Sequence, residues 1–283
     1  MHHILVAVDG SDTSLAAARY ALDFAHASGR DLVARAVLSP EMIPGVGATL
    51  ETMAFSTQVP EGEQLGRRAI TDWFEETEQL CAQVGVCFKR TVDEGEPEER
   101  LTWAAMTAHL CALGAHGTHT VLPHPAGQEL GKTVYQVVRH AIKPLLIVRG
   151  EYRPIRRVVL CWDDHPMAAH AAEMVAEFGK AVSGPDVSGH SDAWEVFVVT
   201  GGLPTDAAAQ SCEHIADALV EEGLQAQPDV VEGSSPLVIF EALERLSPDL
   251  VVLGGYHHAK GWLSEGAWLE VVEQAKIPVL LYR

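Results

Sequence analysis

The sequence predicts an α/β fold built from two tandem doubly wound sheets, each five-stranded and mostly parallel, with helices on both faces. First, the segment that starts at Ile4 and the segment that starts at Val158 share one plan, an apolar strand followed by an Ala-rich amphipathic helix. Second, each strand ends in an aspartate, Asp9 or Asp163. Third, the core strands are apolar on both faces, which is typical of parallel sheets covered by helices on both sides.

Three further landmarks recur in the same order, and they divide the chain. Each half has a glycine that opens a helix-like segment, a strand that ends in glycine and a closing strand led by proline: Gly95 and Gly233, Gly114 and Gly254, Pro144 and Pro278. Matched positions, the strand-end aspartates included, are 154, 138, 140 and 134 residues apart. A repeat of that length predicts two domains of one fold, residues 1–150 and 151–283, rather than a solenoid.

The strands follow one another at regular intervals in both halves. In the first half they are ILVAVD (4–9), DLVARAVL (31–38), CFKRTV (87–92), HLCALG (109–114) and PLLIVR (144–149). In the second half they are RVVLCWD (157–163), WEVFVVT (194–200), QPDVVE (227–232), DLVVLGG (249–255) and PVLLYR (278–283). Helix-patterned segments between them give right-handed crossovers. Ligands of such sheets bind outside the carboxyl ends of the strands, where Asp9, Val37 and Gly114 lie.

The two halves differ most between the second strand and the landmark glycine. Val37 and Gly95 are 58 residues apart, whereas Val199 and Gly233 are 34 residues apart. The additional residues form the Pro-, Gly- and Thr-rich segment SPEMIPGVGATLETMAFSTQVPEGEQ, which precedes a helix containing RRAITDWFEETEQLCAQ. The composition predicts a long loop, either a lid, an interaction segment or a disordered stretch.

Composition limits the classes of function. No apolar run approaches the roughly 20 residues of a membrane span, and a strand begins by about His3, which leaves no room for a signal peptide. Five cysteines without a CxxC pair are typical of a reducing compartment, so we expect a cytoplasmic protein without a membrane partner. The net charge of −19 repels phosphate backbones and argues against nucleic acid as a partner.

The strongest candidate site lies at the carboxyl edge of the first sheet. The fourth strand runs into Gly114-Ala115-His116-Gly117, and Gly131-Lys132-Thr133 opens the next helix. Glycines let backbone approach a ligand, and a helix N-terminus offers N–H groups and the positive end of a dipole to an anion. Asp9 could accept hydrogen bonds from an adenine amino group or a ribose hydroxyl. The alternative is that Asp9 helps Ser11 and Asp12 to cap the first helix.

These segments resemble the universal stress protein family in its tandem two-domain form. The resemblance rests on ILVAVDGS at the start, the LGAHG loop and GKTVYQVVRHAIKPLLIV at the end of the first half. In the ATP-binding branch of that family, adenosine sits between the first-strand Asp, a second-strand Val and the glycine loop. Phosphates lie on the pattern G-x-x-G, nine residues, G-S/T. The resemblance implies an ATP site, with Mg²⁺ as a candidate companion, formed by Asp9, Val37, Gly114, Gly117, Gly131, Lys132 and Thr133.

Two departures from the family pattern affect this site. Thirteen residues, rather than nine, separate Gly117 from Gly131, and Lys132 stands where a small hydroxyl residue is expected. If the inserted loop bulges outward, the N–H groups of Gly131, Lys132 and Thr133 face a phosphate. If it folds inward, Leu122 or His124 fills the adenosine pocket and the domain cannot bind nucleotide. We expect the open form. AGQELGKT also satisfies a loose P-loop pattern, but THTVLPHP before it is a poor strand, so this match is coincidental.

The second half is predicted not to bind ATP. Its loop Gly254-Gly255-Tyr256-His257 lacks the second glycine, and Glu265 places a carboxylate where phosphate would lie. Asp163 leaves a different small ligand open. The histidines of the two glycine loops are expected to be exposed polar residues rather than metal ligands: His116, His119, His124, His257 and His258.

Three functions remain open. The leading expectation is a cytoplasmic stress-response protein that binds ATP in its first domain and acts through an unknown protein partner. The second is a module that holds another small ligand or a protein without nucleotide. The third is a slow ATPase with Lys132 on the phosphates, although no nucleophile–base pair or carboxylate dyad is evident, so no catalytic residue is predicted. The closing strands should pair as an intramolecular pseudo-dimer, because exposed apolar edges are a liability, and a homodimer of the whole chain is plausible.

Overall fold

The strands and helices alternate along the chain in both halves. The computed structural model describes residues 3–38, 61–117, 130–181, 193–201, 205–233, 235–254 and 265–282. The strands are β1 Ile4–Val8, β2 Leu32–Leu38, β3 Phe88–Glu94, β4 Leu110–Gly114, β5 Leu145–Val148, β6 Arg157–Cys161, β7 Glu195–Thr200, β8 Gln225–Val230, β9 Leu250–Gly254 and β10 Val279–Tyr282. The helices are α1 Asp12–Ser28, α2 Glu61–Val84, α3 Pro97–Thr107, α4 Lys132–His140, α5 Pro166–Ala181, α6 Asp206–Glu221, α7 Leu237–Leu246 and α8 Glu265–Gln274.

The strands form one sheet in the order β3-β2-β1-β4-β5-β10-β9-β6-β7-β8. Strands within each half run parallel, and each half has the same internal order, so the predicted α/β class is confirmed. Strand β8 begins two residues before the predicted segment and contains Pro228. Proline is tolerated there because β8 is an edge strand and need not donate on both sides.

The two halves meet through their closing strands. Strands β5 and β10 pair antiparallel, with Leu146 opposite Leu280, and both side chains are buried. The predicted edge pairing is therefore confirmed, and two five-stranded sheets become one continuous sheet. An antiparallel seam also reverses direction, so the carboxyl edge of the first half lies beside the amino edge of the second.

Two apolar layers cover the sheet, and each is shared by both halves. One layer contains α1, α2, α5 and α6, and in it the Phe24 ring stacks on the Phe178 ring with centroids 4.5 Å apart. The other contains α3, α4, α7 and α8. Since Phe24 belongs to the first half and Phe178 to the second, the cores of the two halves are continuous.

The remaining composition-based expectations have mixed outcomes. Four cysteines are buried and unpaired, as small apolar side chains would be, but Cys87 is exposed. Trp268 is buried in the second core layer. Among the residues that the structure describes, no helix has the length and apolarity that crossing a bilayer would require.

Candidate functional site

The turn after β1 is ordered by Asp9. Its Oδ1 atom accepts hydrogen bonds from the Ser11 backbone N at 2.9 Å and from the Ser11 hydroxyl at 2.6 Å. Ser11 in turn caps α1 by accepting from the Ser14 N–H. Gly10, between them, has φ 83°, a conformation that favours glycine. Asp9 therefore positions the capping residue Ser11 through Oδ1, and the second carboxylate oxygen of Asp9, Oδ2, faces the loop after β4.

The loop after β4 is in contact with that turn. A Cβ atom added to Gly117 would lie 2.6 Å from Asp9 Oδ2, so any other residue would require the Asp9 carboxylate to shift. The carbonyl of His116 accepts from the Thr13 hydroxyl at 2.6 Å and from the Ser11 hydroxyl at 3.2 Å. These contacts bring together two predicted site residues, Asp9 and Gly117, that are far apart in sequence.

Gly114 has a structural explanation that needs no ligand. A Cβ atom there would lie 2.6 Å from Thr13 Oγ1 and 2.8 Å from the Ser14 backbone N, inside the first turn of α1. Gly254, its counterpart at the end of β9, shows the same close packing, because its added Cβ would lie 2.5 Å from Ala168 Cα in α5. Glycine at these two strand ends lets a helix approach the sheet in both halves.

The N-terminus of α4 lies beside the glycine loop. Gly131 is the N-cap residue, with φ −60° and ψ 147°, and no side chain of the described residues caps the helix. Its N–H donates to the Ala115 carbonyl at 2.9 Å, which ties α4 to the loop. The expectation that the Gly131 N–H faces a phosphate is therefore wrong, and only Lys132 and Thr133 remain as predicted amide donors.

Lys132 forms an ion pair that the sequence analysis did not foresee. Its ammonium lies 2.7 Å from Oε1 of Glu98, in the first turn of α3. Burial raises the pKa of Glu98, but the hydrogen bond and charge of Lys132, together with a backbone hydrogen bond, outweigh burial, and the net pKa lies below its ordinary value. The lysine side chain is 73% exposed, so dissolved anions have access to its ammonium group. The signal available in the sequence was the acidic first turn of α3.

Val37 lies next to Asp9 across the strand pair. Strand register pairs Val8 with Ala36, so the following residues of the two chains, Asp9 and Val37, are neighbours at the carboxyl edge. Val37 is partly buried against the second core layer, and Thr133 is half-buried. Asp9, Val37, Gly117, Gly131 and Thr133 thus lie around one edge of the sheet.

Several predictions fall outside the described residues. They concern the inserted loop over positions 118–129, with its open and closed forms and Leu122, the long segment 39–60, the second-half loop 255–264 and four of the five loop histidines, His119, His124, His257 and His258. Leu130, the last residue of the insertion, is buried in the second core layer. His116 is exposed, as predicted.

The second half keeps the β1–α1 type of turn but anchors it differently. Asp163 Oδ1 accepts from the His165 N–H at 3.1 Å, as Asp9 does from Ser11. Asp164 occupies the place of Gly10 and has φ 59°. Its Oδ1 accepts from the Trp162 indole N–H at 3.2 Å and from the hydroxyl of Ser211 in α6. These bonds offset the backbone strain and tie the turn to a neighbouring helix.

A separate cavity of about 160 Å³ lies at the seam, near the amino ends of β4 and β5. Residues of both halves line it, and two histidine–glutamate pairs stand in its wall, His109 with Glu177 and His170 with Glu173, each at 3.0 Å. It is remote from Asp9 and Gly117, which lie at the opposite edge of the first half. Over the described ranges, no three His, Cys, Asp or Glu residues are placed to hold a metal ion.

The sheet order and the glycine turn beside a helix N-terminus define a doubly wound α/β protein, the architecture of many small-ligand-binding domains. The family model of the universal stress protein family matches residues 1–149. The chain belongs to the universal stress protein family.

Individual relatives agree with this assignment. A universal stress protein of Mycolicibacterium smegmatis is 30% identical over 147 residues, which cover 52% of this chain and 45% of that protein. The match therefore spans less than half the length of this curated relative. A universal stress protein structure from Archaeoglobus fulgidus superposes with a TM-score of 0.65 at 14% identity, covering 99% of this chain and 98% of that one. A structure from Pseudomonas aeruginosa gives a TM-score of 0.59 at 12% identity, covering 100% and 93%. At such identities the two structures show the shared fold.

Proposed function

We propose that this chain is a stress-response protein whose first domain, residues 1–150, binds one adenine nucleotide, ATP, and presents its occupancy to a protein partner. The second domain, residues 151–283, would serve as the fixed half of an intramolecular pseudo-dimer. The observation that carries the proposal is the approach of three separate segments at one sheet edge. Asp9 meets Gly117, and the Gly131 amide joins α4 to the same loop.

The arrangement suits an adenine nucleotide. Within the described part of the chain no side chain caps the first turn of α4, and the N–H groups and dipole of a helix N-terminus favour a phosphate. Adenosine would lie along Asp9 and Val37, with Gly117 close enough to let backbone approach the sugar. Mg²⁺ would arrive with the nucleotide phosphates, which is usual for an ion that keeps most of its waters.

Lys132 would change partner on binding. An ion pair in which one side chain is largely exposed contributes only about 0–1 kcal/mol, so a polyphosphate can displace Glu98 at little cost. A lysine ammonium binds phosphate as a point charge, and a charge-assisted hydrogen bond of this kind contributes about 1.5–3 kcal/mol. Lys132 is therefore the side chain most sensitive to which anion is present.

Calorimetric titration with ATP, together with mass spectrometry of any co-purified ligand, tests the proposal. We expect one site per chain and at least tenfold weaker binding in Lys132→Ala, from the loss of one charge-assisted bond. Lys89→Ala is the matched control, because Lys89 also pairs with a carboxylate, Asp31, but lies at the amino end of β3. Its affinity should equal that of the wild type.

Three results would change the assignment. Two equivalent sites per chain would contradict the predicted asymmetry of the halves. No binding of ATP, with another ligand found by mass spectrometry, would favour the nucleotide-independent module. Turnover of ATP that disappears in Lys132→Ala would show a slow ATPase instead of a binding protein.

A further inference from the structure

Arg149 connects the glycine loop of the first half to a helix of the second half. It follows β5 directly, and its guanidinium contacts two partners at once. Nε and Nη2 donate to the carbonyl of Val272 at 3.2 and 3.0 Å, and Nη1 lies 3.4 Å from Nε2 of His116. The two partners belong to elements on opposite sides of the β5–β10 seam.

The register of the seam explains why Arg149 reaches α8. Ile147 is opposite Val279, so the residue two positions after Ile147 lies opposite the chain that joins α8 to β10. Val272 is in the last turn of α8, where carbonyl groups have no partner within the helix. The described last turn of α8 carries no basic residue of its own, and Arg149 provides the cation that a helix C-terminus favours.

At its other end, Arg149 contacts a residue that is held on two sides. The His116 carbonyl accepts from Ser11 and Thr13 of the α1 turn, while its imidazole lies against Arg149. Gly117 is the next residue, and it abuts Asp9. A movement of the guanidinium therefore changes the position of His116 and, through the backbone, of Gly117.

We propose that Arg149 is a positioning residue that links the predicted nucleotide loop to the C-terminal turn of α8, so that order in one is coupled to order in the other. The coupling to nucleotide rests on the proposed function; the link itself does not. Arginine suits this role because its planar guanidinium presents several donors at fixed angles, and a lysine ammonium cannot span both partners. By linkage, a ligand that orders the loop should also order α8, and the reverse holds.

Amide hydrogen exchange of the full chain without nucleotide is the first test. Arg149→Met should raise exchange about tenfold both at residues 114–117 and in the last turn of α8, since one charge-assisted interaction is lost at each end. Arg139→Met is the control, because Arg139 bonds to Tyr135 within its own helix, and neither region should change. An increase confined to α8 would reduce Arg149 to a helix cap and overturn the link, as would no increase at all.

His116→Ala keeps the test decisive if Arg149→Met does not fold. This variant removes the ring but retains the carbonyl that Ser11 and Thr13 bond, and it leaves the Val272 contact in place. We expect faster exchange in the last turn of α8 although the substitution lies in the other half. Unchanged exchange in α8 would overturn the proposal.

The second test adds saturating ATP. In the wild type, exchange should slow in residues 114–117 and also in the last turn of α8. In Arg149→Met, ATP should still bind but slow exchange only in the first half. Protection of α8 that persists in Arg149→Met would overturn the coupling. If the wild type binds no ATP, the proposed function fails, and the nucleotide-free exchange of the two variants decides the link by itself.

Discussion

Replacing Gly131 with aspartate should separate the stability of α4 from its ability to hold a phosphate. Gly131 is an N-cap without a capping side chain, and an added Cβ would lie 3.4 Å from the Ala115 carbonyl, which is ordinary contact. A Cβ atom is therefore tolerated by the described residues around Gly131. An aspartate N-cap would accept from N–H groups of the first turn, and it is better than glycine by a few tenths of a kcal/mol. A favourable dipole interaction adds about 0.3–1 kcal/mol.

The same carboxylate would compete with a phosphate for those N–H groups. Two unit charges about 5 Å apart repel by about 3 kcal/mol at an effective dielectric constant of about 20. That corresponds to a loss of affinity of roughly a hundredfold or more. We expect the wild type and Gly131→Ala to bind ATP with the same affinity. Gly131→Asn should bind about tenfold more weakly, because its neutral cap occupies the N–H donors without adding a charge. Gly131→Asp should bind most weakly.

Calorimetry and thermal unfolding together check this series. Gly131→Asp should melt about 1–3 °C above the wild type while binding ATP at least a hundredfold more weakly. Gly131→Ala controls for the added Cβ. If Gly131→Asp bound ATP within threefold of the wild type, phosphate would not lie at the N-terminus of α4. If it lost both stability and binding, a misfolded loop rather than charge would be the cause.

Three other predictions concern packing and ionisation. Gly254→Ala should lower the free energy of unfolding, measured by chemical denaturation, by about 1–3 kcal/mol, because its Cβ meets the backbone of α5. Gly266→Ala in α8, where no described residue lies within 4 Å of the added Cβ, should instead stabilise by up to about 1 kcal/mol. Equal effects of the two substitutions would contradict the packing argument. Burial raises the pKa of Asp23, so its ionised carboxylate destabilises the folded state at pH values above that pKa. The free energy of unfolding of Asp23→Asn should therefore exceed that of the wild type at pH 7, and the difference should shrink at pH 4.5. The opposite trend would refute this. The whole chain should melt in a single transition, and Phe178→Ala should lower its melting temperature and reduce the free energy of unfolding by about 3–5 kcal/mol. Val220→Ala, at an exposed position, should leave the melting temperature unchanged. Two transitions, of which only one shifts in Phe178→Ala, would argue against a shared core.

The strands were predictable because burial on both faces leaves an apolar signature. Strands β4 and β9 are continuous apolar runs, and their burial is complete except at Gly114. Strand β8 was harder to bound, since an edge strand with Gln225 and Pro228 is half-exposed and carries little pattern. The pairing of β5 with β10 followed from the need to cover an apolar edge, which is a property that sequence shows directly.

The contacts of the site could be predicted only in part. Sequence placed Asp9 and Gly117 at strand ends, and parallel topology brings such ends to one edge. It could not show that Glu98 pairs with Lys132, because that distance depends on how α3 packs against α4. Nor could it show that the Gly131 amide is already bonded to Ala115. Side-chain partners between distant segments depend on packing angles, and a single sequence does not encode these in a readable pattern.

Comparison of the two halves separates glycines that serve packing from those that a ligand would need. Gly114 has a counterpart in Gly254, and both are required by a helix that crosses the strand end, so their presence says nothing about nucleotide. Gly117 is explained by the neighbouring carboxylate of Asp9. Gly131 differs from all of these, because an added Cβ atom would make only ordinary contacts with the described residues there. A glycine N-cap stabilises a helix less than a residue whose side chain caps it, and a bound anion would offset that cost by accepting from the N–H groups of the first turn. The Gly131 series is for that reason the sharpest test of an anion at this edge of the sheet.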